Sequence, residues 1–139
     1  DTLQPSWHQV IRMHEYGAAF YSYLESFAVC SAQRVVPVVA AALPVASVVD
    51  FGCGQGAWLR VWQDAGAAIL GVDGPYVDRA RLLISNDCFK PADLAAPLDL
   101  QRRFDLVQSL EVAEHLPPAC MGTPCCSLPP CRARAGSIM

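Results

Sequence analysis

Residues 48–56 read Val48-Val49-Asp50-Phe51-Gly52-Cys53-Gly54-Gln55-Gly56. A β-branched apolar run stops at a carboxylate and enters a turn with glycine at every second position. β-Branched side chains favour extended backbone. Glycine lets the chain turn tightly and lets a ligand approach the main chain with no Cβ in the way. The stretch Ala57 to Ala65 is amphipathic and helical in pattern, and Gly66 is a natural stop for it. A strand, a glycine-rich turn and a helix in succession present free helix N–H groups and a partial positive charge to whatever occupies the turn. In open α/β sheets the crevice outside the carboxyl end of a strand is where ligands bind.

Working outward, Ala67 to Asp73 is a second apolar strand. Val77 to Ile84 predicts a helix, Cys88 to Lys90 a short third strand and Arg103 to Ser109 a fourth. This order implies βα crossovers and a parallel sheet, hence an α/β fold. Upstream, Tyr16 to Val29 predicts a helix with Phe20, Leu24 and Phe27 at helical spacing. Ser31 is a candidate N-cap for a second helix reaching about Leu43, which Pro37 would kink or start. Trp58 and Trp62, four apart, read as core packing of the helix after the turn. Past Pro118 the periodicity ends, and an irregular Cys/Pro-rich tail is expected.

Composition narrows the field. The chain has 139 residues, 53% hydrophobic and 17% charged, with a net charge of −3. That suits one folded domain and argues against disorder. It carries no basic footprint, which argues against a nucleic-acid partner. The longest apolar stretch, Val35 to Val49, is about 15 residues and is interrupted by Pro37 and Pro44, short of the roughly 20 that a membrane span needs. No signal-peptide pattern opens the chain at Asp1 to Pro5. Cys30, Cys53 and Cys88 are isolated, which suits a reducing, cytoplasmic setting. His8 and His14 read as surface or packing residues.

The glycines alone leave the ligand open. Gly52-x-Gly54-x-x-Ala57 also satisfies a loose dinucleotide fingerprint. An NAD-type oxidoreductase would then use Asp73 on the adenosine ribose. Three features point elsewhere: Asp50 stands two residues before the first glycine, Gly56 adds a third, and some 46 residues of helical character precede the strand. Together they resemble motif I, D-x-G-x-G-x-G, of the class I S-adenosyl-L-methionine-dependent methyltransferases. The resemblance spans roughly residues 30–118.

That resemblance implies a three-layer Rossmann-like fold with sheet order 3-2-1-4-5-7-6, of which this chain supplies the first four strands after N-terminal helices. It implies S-adenosyl-L-methionine as cofactor, with Asp50, Gly52, Cys53, Gly54 and Gly56 forming the turn. It places Asp73, beside Gly74, on the ribose hydroxyls, and the two acceptor oxygens of a carboxylate fit a vicinal diol. Asp93 and Leu94 fall where the family holds the adenine. Phe104 to Leu116 looks like the fourth strand and the loop lining the methyl-donor pocket, which makes Glu111 and His115 candidate catalytic bases. The reaction implied is methyl transfer to O, N or C of an unidentified acceptor, expected to be a small molecule.

Glu111, Glu114 and His115 also resemble the metal motif of small-RNA 2′-O-methyltransferases, but the further His of that family is missing, so no metal is expected. The tail cysteines Cys120, Cys125, Cys126 and Cys131 depart from structural-zinc spacing. The organisation expected is a helical segment 1–46, a partial methyltransferase core 47–118 and a tail 119–139. C-terminal truncation would remove most of the acceptor site, and a remnant that binds nothing is the non-enzymatic alternative.

Overall fold

The computed structural model describes residues 18–110 together with 112 and 116. Its elements in chain order are α1 (Ala18–Ala42), β1 (Ser47–Phe51), α2 (Ala57–Asp64), β2 (Ala68–Asp73), β3 (Phe89–Pro91) and β4 (Leu106–Gln108). The four strands form one parallel sheet in the order β3-β2-β1-β4. This is the α/β Rossmann-like arrangement expected from the sequence, with its first four strands in the expected order.

β1 is an inner strand, paired with β2 on one side and β4 on the other. Its side chains alternate between two faces, as any pleated strand requires. Val48 points into a cluster with Ala32 and Val36 of α1, Leu59, Val61 and Trp62 of α2, and Ile69 of β2. Val49 points the other way, against Val72 and Phe104. Both described helices therefore cover one face. The opposite face is covered by Ala92, Leu94, Leu98 and Leu100 from the long connection before β4. Asp105 ties that connection to the start of β1: its Oδ2 accepts from the Ala46 N–H at 2.9 Å and from the Ser47 hydroxyl at 3.1 Å.

Three expectations need correction. The two N-terminal helices are one, and it runs through both Ser31 and Pro37. Packing of Ala32, Val36 and Val39 on either side of the proline holds the helix across the missing N–H. The buried face is Val29, Ala32, Val36 and Val39, not the bulkier stripe: Leu24 and Phe27 are 46% and 54% exposed. Because the helix is continuous, Ser22–Ala42 is also long and apolar enough to cross a membrane, by length and composition. Pro37 lies inside the helix and does not start it.

The third correction concerns residues 77–84. Instead of an α-helix the chain makes a single 3-10 turn, Arg79–Arg81, and a second at Asn86–Cys88. Asp78 and Ser85 bond backbone N–H groups two residues on, at 2.9 and 3.4 Å. Short polar side chains used this way compete with helix.

Leu59 is fully buried where α2, α1 and the sheet meet. We expect Leu59→Ala to lower unfolding free energy by about 2–5 kcal/mol in chemical denaturation. Leu24→Ala, on the exposed stripe of α1, should stay within about 0.5 kcal/mol of the parent. Equal losses at both positions would contradict this assignment of the buried face.

Candidate functional site

The carboxyl ends of β1 and β2 lie side by side, with Asp50 paired to Gly71 and Phe51 to Val72. The glycine-rich turn leaves β1 there. The Gly52 N–H donates to the Val72 carbonyl at 2.7 Å, so the turn begins stitched to β2. Gly52 and Gly54 adopt φ of +79° and +53°, a region that L side chains avoid. A Cβ at Gly52 would collide with Val112. A Cβ at Gly54 would meet nothing within 4 Å, so that glycine faces open space. Its bare backbone is a surface that something else can approach.

Asp73, at the end of β2, fixes this turn. It is only 4% exposed. Its Oδ2 accepts from the Gly54 N–H at 2.7 Å, and its Oδ1 from the Gly74 N–H at 2.7 Å and the Tyr76 hydroxyl at 2.5 Å. A buried carboxylate is tolerated when its lone pairs are met in this way. The same contacts push the Tyr76 phenol up to about 12, through partial burial and the adjacent carboxylate.

Asp50 is the opposite case. It is 3% exposed, and among the described residues its Oδ1 has no hydrogen-bond partner. Burial raises its pKa from 3.8 to about 7, the Gln108 side chain offsets part of that, and the nearby Asp73 charge adds to it. Gln108 stands opposite Asp50 on β4 and accepts from the Trp62 indole N–H at 3.2 Å, while its own Nε2 also lacks a partner among the described residues. Cys53 contributes backbone rather than reactivity. Burial and the two carboxylates push its thiol well up, and its Sγ turns inward beside Gly71.

α2 follows the turn with Gly56 at its N-cap and no side chain capping it. The N–H groups of its first turn are therefore open donors on the turn side. A second wall is held by Gln55: its backbone carbonyl accepts from the Leu83 N–H at 2.8 Å, and its side-chain amide, oriented to donate, reaches the Asp78 and Arg81 carbonyls at 3.2 and 3.1 Å. Ile84 packs against Gly56. The residues where a helix was expected thus brace the turn.

The structure brings Asp50, Gly52, Cys53, Gly54, Gly56, Asp73 and Gly74 together at one end of the sheet. Asp93 and Leu94 lie just past β3, whose end is tied to β2 by the Ala92 N–H on the Asp73 carbonyl at 2.8 Å. Asp93 spends its Oδ1 on the Ala95 N–H at 2.9 Å, and Leu94 packs on the Val49 cluster. Glu111, Glu114, His115 and the tail cysteines lie outside the described residues. Tyr76 and Gln108 are the site residues that sequence reasoning missed. The signal for Tyr76 was the Asp73-Gly74 pair, which allows the chain to fold back.

Comparison with protein families matches residues 23–121 to a methyltransferase domain. No curated protein and no solved structure matches the chain.

The raised Asp50 has a consequence for stability. Between its unfolded value of 3.8 and its folded value of about 7, the folded chain holds a proton that the unfolded chain has lost. Asp50 therefore makes the fold less stable as pH rises through that window, with no further change above it. We expect Asp50→Asn to flatten this slope and to gain about 2 kcal/mol at pH 8, where the parent must bury a charge. Thermal unfolding of both proteins from pH 4 to 8 checks it. A variant that is less stable than the parent at pH 8 would contradict the account.

Proposed function

The chain belongs to the methyltransferase domain family, and from that membership we propose that it binds S-adenosyl-L-methionine at the carboxyl ends of β1 and β2 and transfers its methyl group to a small-molecule acceptor. The observation that carries this reading is Asp73, a buried carboxylate whose Oδ1 already accepts a hydrogen bond from a hydroxyl, that of Tyr76. A site that accepts one O–H is chemically suited to the hydroxyls of a ribose.

The other residues fit the rest of the cofactor. Gly54 leaves the backbone bare beside Asp73. The uncapped N-terminus of α2 suits the cofactor's carboxylate. The orphaned Oδ1 of Asp50 suits its ammonium group, which would favour the ionised form of a carboxyl that burial otherwise keeps protonated. When bound, the cofactor supplies a methyl group on a sulfonium sulfur, an electrophile that needs no further activation. The work left to the chain is to hold that methyl in line with the nucleophile and to exclude water. We assign the role of base, where the acceptor needs one, to Glu111 or His115.

Calorimetric titration with S-adenosylhomocysteine tests the binding half of this reading. We expect saturable binding by the parent chain and a loss of roughly 30-fold or more in Asp73→Ala, the worth of a net hydrogen bond to a charged group. NADH should produce no heat above dilution. A cooperatively folded parent that ignores S-adenosylhomocysteine, or an Asp73→Ala variant that binds it as well, would contradict the proposal.

A further inference from the structure

We propose that Tyr76 is a built-in competitor for the ribose: its hydroxyl occupies one of the two acceptor positions that a vicinal diol needs on Asp73, and it must leave for the diol to bind. The inference rests on the reading of Asp73 as the cofactor's hydroxyl acceptor.

The argument is an account of lone pairs. An ionised carboxylate offers about four acceptor positions, two on each oxygen. Oδ1 holds the Gly74 N–H and the Tyr76 O–H, which fills it. Oδ2 holds the Gly54 N–H and has one position left. A single ligand hydroxyl can take that position without disturbing anything. A diol that places one hydroxyl on each oxygen cannot, until one of the three present donors moves.

Tyr76 is the donor free to move. Gly54 and Gly74 donate from backbone, and Gly54 is held within a turn stitched to β2. The Tyr76 side chain is 77% exposed, so withdrawing it uncovers almost no further apolar surface. Its ring lies against Gly74, in space that a side chain at position 74 would fill. Gly74 thereby gives the tyrosine room to reach back three residues. Its hydroxyl belongs to the same chemical class of donor as a sugar hydroxyl, at the short distance of a charge-assisted bond. In the unliganded chain it meets the lone pair of a buried carboxylate that would otherwise be costly.

The consequence is asymmetric. For a diol, two hydrogen bonds are gained and one is lost. For a ligand with one hydroxyl, one is gained and none is lost. Removing the tyrosine hydroxyl therefore favours the diol alone.

The test uses the full chain and Tyr76→Phe, titrated with S-adenosylhomocysteine and with its analogue lacking the 2′-hydroxyl. The expected result is that Tyr76→Phe binds S-adenosylhomocysteine roughly tenfold tighter, while its affinity for the deoxy analogue is unchanged. Equal tightening for both ligands would overturn the proposal, because it would then reflect the ring rather than hydroxyl exchange. If the parent binds S-adenosylhomocysteine, Asp73→Ala does not, and Tyr76→Phe matches the parent, this inference falls and the cofactor reading stands. No binding by folded parent or folded Tyr76→Phe would overturn both.

Discussion

The bond from the Gly54 N–H to Asp73 Oδ2 joins the two halves of this site. The glycine turn belongs to the end of β1 and the carboxylate to the end of β2, and the parallel register places them side by side. Without that carboxylate, the turn's N–H groups would have only the Val72 and Cys53 carbonyls to hold them. With it, a segment containing three positive-φ glycines is fixed in a single shape while Gly54 still faces open space. A turn that is rigid and bare at once is what a close-approaching ligand requires.

Two carboxylates share this small region and are treated differently by their surroundings. Asp73 is buried but engaged at both oxygens by N–H and O–H donors. Asp50 is equally buried and under-engaged, and its proton affinity rises accordingly. Burial sets the demand in both, and the supply of donors decides the outcome. On the proposed reading the contrast also divides their functions: Asp73 would take neutral hydroxyls, and Asp50 a donor that brings its own positive charge.

Much of this was legible in the sequence because the relevant chemistry is local. The β-branched run at Val48-Val49, the spaced glycines and the carboxylates at both strand ends each specify backbone or ligand chemistry within a few residues. What was not legible depends on tertiary choices. Residues 77–84 have helical composition, yet Asp78 and Ser85 bond their own turns, and Leu83 and Ile84 are recruited to brace Gln55 and Gly56. In α1 the packing of α2 and the sheet selects the slimmer Ala32 and Val36 face over the bulkier Leu24 and Phe27 stripe, a choice that spacing within the helix does not make. Tyr76 carries no motif, since its role follows from a side chain folding back over Gly74.

The most direct test of the central claim is the amide spectrum of the uniformly 15N-labelled chain during addition of S-adenosylhomocysteine. The account predicts a Gly54 N–H protected from hydrogen exchange in the unliganded chain. It predicts saturable shifts centred on Asp50, Gly52, Cys53, Gly54, the first turn of α2, Gly74 and Tyr76, with Gly66 at the far end of α2 unmoved. An unprotected Gly54 amide, or shifts centred away from the ends of β1 and β2, would contradict it.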